Sequence, residues 1–205
     1  MATQAGAQAL RFGLPTDDIS AASRHAPFCP ARSFAPDPIA GPLTSDAVAD
    51  AAGVVTFCNH AMQVHGTGPG SNLTCTADGL ARVMATFRPD GMGAGSLISP
   101  DTLAAATTPV RGADGATIQS GMGLGYMLAI DPTPAPNAWR FGPWPDAFGH
   151  MGAGGRMATF SPVHNMAIVV AKNAVSPDPY TYATWTTIAT AISVALGVPV
   201  GADQS

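Results

Sequence analysis

A histidine followed by closely spaced glycines is the segment of this sequence best suited to take part in chemistry. His150 stands in the run Phe148-Gly-His150-Met-Gly152, and Ala153-Gly-Gly155 follows it. An imidazole can donate or accept a hydrogen bond and changes its charge near neutral pH. Glycines in an extended segment let a ligand or another backbone approach closely. The run predicts a ligand-binding strand or, as the simpler alternative, a histidine bonded to backbone at a strand start, beside turn glycines.

Serine is the residue type that could supply a nucleophile, but no serine here lies in a Gly-x-Ser-x-Gly turn. That sharp turn exposes the nucleophilic hydroxyl of many hydrolases. The candidates are Ser20, Ser23, Ser96, Ser99, Ser120 and Ser161. For each of them, a role as a helix cap or turn residue explains the surroundings better.

Cysteines and histidines raise the question of a metal site. Cys58, His60, His65 and Cys75 are of the types that bind zinc, but their spacings do not match compact ligand pairs and the region reads as loop. Together with Cys29 the cysteines are odd in number, and we interpret them as reduced, mostly buried thiols. We expect no metal.

A glycine-rich run could also suggest a nucleotide cofactor. Gly121-Met-Gly-Leu-Gly125 has the glycines of a dinucleotide-binding loop, but no helix pattern follows it and no strand–turn–helix unit surrounds it. We therefore expect no cofactor.

Composition excludes several classes of function. The chain has 205 residues, of which 46% are hydrophobic and 11% charged, and its net charge is −4. A length of this order corresponds to about one domain. The nine lysines and arginines are scattered singly, so no basic stripe is available to neutralise phosphates. We expect no nucleic-acid binding.

The sequence offers weak support for membrane association or export. The uncharged stretch 180–202 is long enough to cross a bilayer, but it is rich in threonine and interrupted by glycine and proline. Its apolar residues Trp185, Ile188, Ile192 and Leu196 recur at the spacing of one helix face. The start of the chain lacks the pattern of a secretory signal. The expectation is a helix packed on a core, no membrane contact, and a cytoplasmic location.

The second half of the chain carries clear signals of secondary structure. After a candidate N-cap at Thr76, apolar residues recur at helical spacing through Phe87. Ser99-Pro100-Asp101 predicts a short second helix through Ala106, and 121–130 predicts a strand entered through glycines.

Three further elements complete the predicted order. Phe148-Gly-His150 begins an extended segment, and 156–160 with 166–171 predicts an antiparallel hairpin. A last helix, capped at Asp178-Pro179, ends at Gly197. Prolines scattered through residues 1–70 predict coil with short elements there.

The order of these elements and several motifs resemble the C-terminal half of serine β-lactamase-like hydrolases, especially class C β-lactamase-type esterases and penicillin-binding proteins. The segment 148–155 is similar to the third motif of that family, Lys-Thr-Gly in lactamases and often His-x-Gly in esterases. It is followed, as in the family, by a hairpin that ends in Lys172-Asn173. Thr76 to Ala85 and Gly123-Leu-Gly-Tyr126 resemble the helix and strand that precede the motif.

The resemblance assigns roles to three residues. It implies that His150 borders the catalytic cleft and can hydrogen-bond a substrate or anion, and that Gly152 leaves room for the substrate carbonyl. It further implies that the backbone N–H of Ala153 is one donor of the oxyanion hole, which stabilises charge on a carbonyl oxygen. The second donor would belong to the nucleophile itself.

The motifs that would supply the nucleophile are missing from this sequence. The family uses Ser-x-x-Lys, in which the lysine lies one helical turn after the serine and can activate its hydroxyl. The only lysine here is Lys172, and Val169 stands three residues before it. The second motif, Tyr-x-Asn or Tyr-x-Ser, is also absent. The resemblance therefore implies no catalytic nucleophile, lysine or tyrosine within this chain.

The fold expected from the resemblance is α/β (α+β), a partial β-lactamase-like fold in which an antiparallel sheet carries the C-terminal helix on one face. Residues 1–70 would be a loop-rich remnant of the helical lobe, and 71–205 the C-terminal α/β part. The expected function is that of a serine hydrolase fragment, inactive alone towards esters or amides unless a missing N-terminal half or self-association completes it. A non-catalytic binding or interaction module derived from this fold is the alternative.

Overall fold

The chain folds around one antiparallel sheet with helices on both faces. The computed structural model describes residues 11–12, 29–30, 52–57, 59, 73–88, 97–113, 115, 121–129, 141–152, 155–175 and 180–200. Among these, residues 52–57 are helical. The predicted class, α/β (α+β) with an antiparallel sheet and the C-terminal helix on one face, is confirmed.

The first well-described helix, α1 (Ala77–Met84), begins as its sequence predicts. The hydroxyl oxygen of Thr76 accepts a hydrogen bond from the N–H of Gly79 at 3.0 Å, which satisfies one of the unpaired donors of the first turn. The helix tightens into a 3₁₀ turn over Ala85–Phe87. It stops at Arg88, which is extended because a proline follows it.

The second helix, α2 (Pro100–Ala106), also matches its predicted bounds. Ser99 caps it by accepting from the N–H of Thr102 at 3.1 Å, and proline fills the first helical position. Leu103 is the buried residue of this short helix.

The main sheet has four strands in sequence order: β4 (Met127–Leu128), β5 (Phe148–Gly152), β6 (Arg156–Ser161) and β7 (Met166–Val170). All neighbours are antiparallel. Short strands lie outside this sheet. In chain order they are β1 (Arg11–Phe12), β2 (Cys29–Pro30), β3 (Leu73–Thr74) and β8 (Ala174–Val175).

Two of the short pairings join early and late parts of the chain. β1 pairs antiparallel with β3, and β2 pairs parallel with β8. The pairing of β2 with β8 ties residue 29 to the segment directly after the sheet. The division into 1–70 and 71–205 stays a prediction.

Side chains alternate between the two faces of the sheet and form two cores. On one face, Phe148 and Phe160 pack with Met84, Phe87 and Leu103 from the helices α1 and α2 and the turn after α1. The other face contributes Met157 and Ile168 to a second cluster.

The last helix, α3 (Tyr180–Ala195), packs on the second face through Trp185 and Ala189. Its predicted cap, Asp178-Pro179, lies outside the described residues. The helix ends in a Schellman motif, because the N–H groups of Gly197 and Val198 bond to the carbonyls of Val194 and Ser193 at 3.1 and 2.8 Å. Gly197 has the left-handed φ of 68° that this ending requires.

The prediction that Leu196 belongs to the buried face of α3 is wrong. Leu196 is 65% exposed, whereas Trp185 is buried and Ile192 packs against the core. Leu196 falls at the point where the chain leaves the helix. The row continues instead through Ser193, which is fully buried and donates its hydroxyl proton to the carbonyl of Ala189 at 2.6 Å.

The predicted strand over 121–130 is mostly a turn. Met122 and Met127 form an isolated bridge, and the N–H of Gly123 bonds to the carbonyl of Tyr126 at 2.8 Å. Only Met127–Leu128 pairs with β5. A side chain at 123 would collide with the carbonyl oxygen of Ala106, so the glycine allows the turn to sit against the end of α2.

Within the described part of the chain, the helices are too short or too polar to traverse a lipid bilayer.

Candidate functional site

The candidate site lies where β5 turns into β6. His150 is the third residue of β5 and is exposed. Since alternate residues of a strand share a face, His150 and Gly152 project on the same side as Phe148. That side is the one covered by α1 and α2. On this face of β5, Phe148 is buried in the core, whereas His150 and Gly152 lie beyond it and are exposed.

The imidazole of His150 has a defined orientation. Its Nδ1 lies 2.7 Å from the carbonyl oxygen of Met151. A carbonyl can only accept, so Nδ1 carries the proton and donates. In the neutral ring, Nε2 is then an acceptor. The ring is thus bonded to backbone and also exposed, and its role in binding a ligand stays a prediction.

The two glycines of β5 differ in how much room their surroundings leave for a side chain. A Cβ at Gly149 would run into the carbonyl oxygen of Ala158 and come within 2.8 Å of Cα of Thr159, so close pairing with β6 requires the glycine. A Cβ at Gly152 would meet only the Arg156 side chain, at 3.4 Å. Internal packing therefore leaves Gly152 free to vary, and its exposed surface is open to a ligand.

The predicted oxyanion donor, Ala153, lies outside the described residues, as does residue 154. The structure places the residues on either side of them. Gly152 pairs with Arg156 across the antiparallel register, and Gly155 has a left-handed φ of 98°. The N–H of Gly155 donates to the carbonyl of Gly152 at 3.2 Å. This backbone hydrogen bond ties the end of β5 to the residue that precedes β6.

Two cationic side chains lie near the start of β6. The Nε–H of Arg156 donates to the backbone carbonyl of Lys172 at 3.2 Å, which links the start of β6 to the end of β7. Burial lowers the pKa of Lys172, and the neighbouring Arg156 charge lowers it further. The sequence placed Arg156 in a strand but gave no sign that it pairs with Lys172, because their contact depends on the strand register.

An aromatic group lines the same face of the sheet. The Tyr126 ring packs edge-on against Phe148 at 5.2 Å and Phe87 at 5.6 Å. Burial raises the pKa of the Tyr126 phenol. Since Met127 pairs with Gly149 in the antiparallel register, Tyr126 lies at the position opposite His150. An aromatic ring therefore flanks His150 on the side of β4.

The described serines have structural partners. Ser99 caps α2, and Ser193 bonds within α3. Ser161 is fully buried and donates to Oδ2 of Asp146 at 2.6 Å. Of the other predicted candidates, Ser20, Ser23, Ser96 and Ser120 lie outside the described residues.

The suggested zinc ligands are only partly described. Cys58, His60 and His65 lie outside the described residues, and Cys75 is a half-buried thiol whose pKa is raised by burial. Within the described residues, His, Cys, Asp and Glu do not form a group of three able to hold a metal ion.

Several solved structures have a similar fold. A penicillin-binding protein homologue from Caulobacter crescentus aligns with a TM-score of 0.60 and 24% identity, covering 95% of this chain and 50% of that one. EstA from Arthrobacter nitroguajacolicus Rue61a gives 0.58 and 20%, covering 97% and 53%. A family VIII carboxylesterase gives 0.53 and 23%, covering 92% and 47%.

The chain therefore spans about half the length of these solved structures. Among curated proteins, none matches it. The sequence profile of the beta-lactamase family matches residues 16–192, which is most of the chain. This match and the shared fold agree with the motifs at 76–85 and 148–155, and the chain belongs to the beta-lactamase family.

Proposed function

We propose that this chain forms the C-terminal part of a serine hydrolase domain that cleaves esters or amides through an acyl-enzyme. The observation that carries the proposal is the placement of His150 and Gly152. Both are exposed on β5, on the face shared with α1 and α2, in the segment that resembles the family's third motif. In this proposal they border the substrate cleft.

The nucleophile in this proposal comes from polypeptide outside these 205 residues. The sequence contains no Ser-x-x-Lys, and its only lysine, Lys172, follows β7. Lys172 lies near the Arg156 charge, and the residue three positions before it is Val169, not a serine. Of the three serines whose side chains are described, Ser99 caps a helix, Ser161 bonds to Asp146 and Ser193 bonds to a backbone carbonyl within α3. The half-length alignment with the solved structures is consistent with a missing first half.

The oxyanion hole would be shared between two parts of the polypeptide. The N–H of Ala153, one residue after Gly152, is proposed as the first donor, and the N–H of the absent nucleophile as the second. Preorganised donors aimed at a developing negative charge are among the largest contributions to such catalysis. With one donor and no nucleophile, the chain alone is proposed to be inactive.

A non-catalytic binding module is the second candidate. It is favoured by the same absence of a nucleophile, combined with an exposed strand that keeps the histidine and glycine of the cleft. In that case the chain would bind ester-like or amide-like ligands without turning them over.

One experiment tests the proposal and separates the candidates. Hydrolysis of a short-chain nitrophenyl ester and labelling by a serine-reactive phosphonate are measured on the 205-residue chain and on the same chain extended by any coding sequence found upstream of Met1. We expect neither signal from the 205 residues and both from an extension that encodes Ser-x-x-Lys and Tyr-x-Asn.

Two results would contradict the proposal. Turnover by the 205 residues that disappears on changing one serine, with the fold kept, would show a self-contained enzyme. An extended chain that folds and contains both motifs but neither reacts nor labels would favour the binding module.

A further inference from the structure

We propose that Lys172 is a modification site, whose side-chain amine takes an activated acyl group, such as the acyl group of a nitrophenyl ester, and becomes a stable amide. The proposal concerns the end of β7 and does not need the nucleophile that the hydrolase proposal places outside the chain. It is carried by the surroundings of Lys172, which place a partly exposed amine near a permanent positive charge.

The first observation is the position of Lys172 in the sheet. It is the single lysine of the chain and follows β7, at the end of the sheet where β6 begins. Its backbone carbonyl accepts the Nε–H of Arg156 at 3.2 Å. A guanidinium stays charged at every pH that a folded protein meets. The strand register thus brings a fixed cation to the one residue whose side chain is a primary amine.

The second observation is the charge on the elements packed against β7. Helix α1 packs on β7 and carries Asp78 and Arg82, which are exposed and bond to each other at 2.8 Å. Helix α3 has no charged residue. Among the described residues of these elements and of β6, the charges are therefore Arg156 and a pair that is neutral overall.

Both the burial of Lys172 and its cationic neighbour favour the neutral amine, which is the nucleophilic form. Lys172 is half-buried, and removing water from an ammonium costs free energy. Burial and then the charge of Arg156 lower the pKa of Lys172. Because the residue keeps part of its surface exposed, an acyl donor has access to it.

The reaction is an aminolysis that needs no further reactant. The lone pair of Nζ attacks the carbonyl carbon of the ester, the N–C bond forms, and the C–O bond to the leaving group breaks. The amine loses one proton, which passes to the leaving phenolate or to water. Acylation removes the charge of Lys172 and with it the repulsion by Arg156.

The 205-residue chain is treated with nitrophenyl acetate over a range of pH, folded in buffer and unfolded in guanidinium chloride. Peptide mass spectrometry follows the acetylation of Lys172. We expect its rate to rise with pH around a midpoint that is lower in the folded chain than in the unfolded chain. An equal or higher midpoint in the folded chain would overturn the proposal. So would a Lys172 that stays unmodified in the folded chain at a pH where the unfolded chain reacts.

Two variants separate the charge of Arg156 from the net charge of the chain. Arg156→Gln removes the charge and keeps an N–H that can donate to the Lys172 carbonyl, whereas Arg82→Gln removes an exposed charge from α1. We expect Arg156→Gln to shift the midpoint to higher pH and Arg82→Gln to leave it unchanged, with circular dichroism confirming that both are folded. Equal shifts, or no shift in either, would overturn the role given to Arg156. If Arg156→Gln does not fold, the comparison of folded and unfolded wild-type chain still decides the proposal.

Stoichiometry separates this modification from the proposed hydrolase function. Acylation of Lys172 consumes one ester per chain because the amide is stable, whereas turnover continues. Phosphonate labelling reports a serine, and loss of the modification in Lys172→Met reports the lysine. An extended chain that fails to hydrolyse esters leaves the Lys172 result intact. Normal turnover without acylation of Lys172 would overturn the modification site alone.

Discussion

Ser161 donates its hydroxyl proton to Oδ2 of Asp146 across 2.6 Å, and the same oxygen accepts the N–H of Val163 at 3.0 Å. The backbone N–H of His164 donates to the Ser161 oxygen at 3.2 Å, while the His164 ring stacks on Trp144. A serine, an aspartate and a histidine thus meet at the tip of the β6–β7 hairpin. Their bonds fix the turn and do not form a catalytic triad, because the serine hydroxyl is buried and bonded to the carboxylate.

Ser161→Ala should therefore lower the free energy of unfolding by about 1–3 kcal/mol, because it removes a buried hydrogen bond from Asp146. Asp146→Asn should lower the free energy of unfolding by less, since the amide oxygen of asparagine can still accept both hydrogen bonds. Urea unfolding measures both changes. Phosphonate labelling of Ser161 in the folded chain would show that the hydroxyl is accessible and the structural role is wrong.

The glycines of β5 provide a matched pair for the second prediction. Gly149→Ala should destabilise the chain by about 1–3 kcal/mol or more, because the added methyl overlaps the Ala158 carbonyl and overpacks the β5–β6 pair. Gly152→Ala should change stability by no more than about 0.5 kcal/mol. Thermal unfolding measures both.

Much of the fold could be predicted because its signals are local. Thr76 and Ser99 cap their helices through bonds to residues three positions away. Proline fills the first position of α2, and another proline follows Arg88, where the turn after α1 ends. The β6–β7 hairpin follows from two apolar runs and a turn that ends at Asn165, whose φ is 49°. Asparagine is one of the few residues that adopts this conformation readily.

The rest depends on contacts between distant residues. The turn at Gly123 exists because the backbone must clear Ala106, and nothing in the local pattern distinguishes such a glycine from one inside a strand. Ser193 can replace an apolar residue in the buried row of α3 because its hydroxyl bonds to the preceding turn. For the site, the glycine-rich run predicts that His150 begins an extended segment, but which ring nitrogen bonds to backbone depends on its contact with the Met151 carbonyl.

Alkaline pH should reduce stability through Cys75, because burial raises the pKa of its thiol above the ordinary 9.0. The folded state then holds its proton more tightly than the unfolded state, so stability is unaffected below pH 9.0 and falls as pH rises through the folded pKa. Cys75→Ala should flatten this decline. Urea unfolding between about pH 8 and 10 measures it; an identical decline in the variant would contradict the assignment.

Lys172 should have the opposite effect. Its pKa is lowered from the ordinary 10.5 by burial and by Arg156, so the unfolded state binds the proton more tightly. Its contribution therefore makes stability rise as pH increases from the folded pKa towards 10.5. Lys172→Met should remove this rise and leave stability at neutral pH equal or higher. A large loss at neutral pH would show that the lysine's contacts outweigh the cost of burying its charge.

The last prediction concerns the open end of the sheet. β7 is the final strand of the described four-stranded sheet, and Met166-Ala-Ile-Val-Val170 contains no charge or proline. A strand in that position offers N–H and carbonyl groups with which another chain can pair. We expect the purified chain to self-associate through this strand.

Two lysine substitutions separate edge pairing from a general effect of charge. Val169→Lys places a charge on β7, where lysine disfavours pairing with another strand. Val163→Lys adds the same charge at the hairpin tip, where the side chain is 59% exposed and outside the strand. In light scattering, we expect Val169→Lys to shift the chain towards monomer and Val163→Lys to leave its size unchanged, while circular dichroism confirms that both stay folded. Equal dispersal by the two variants would assign the effect to net charge, and a monodisperse wild-type monomer with a cooperative unfolding transition would show that the chain covers the edge of β7 by itself.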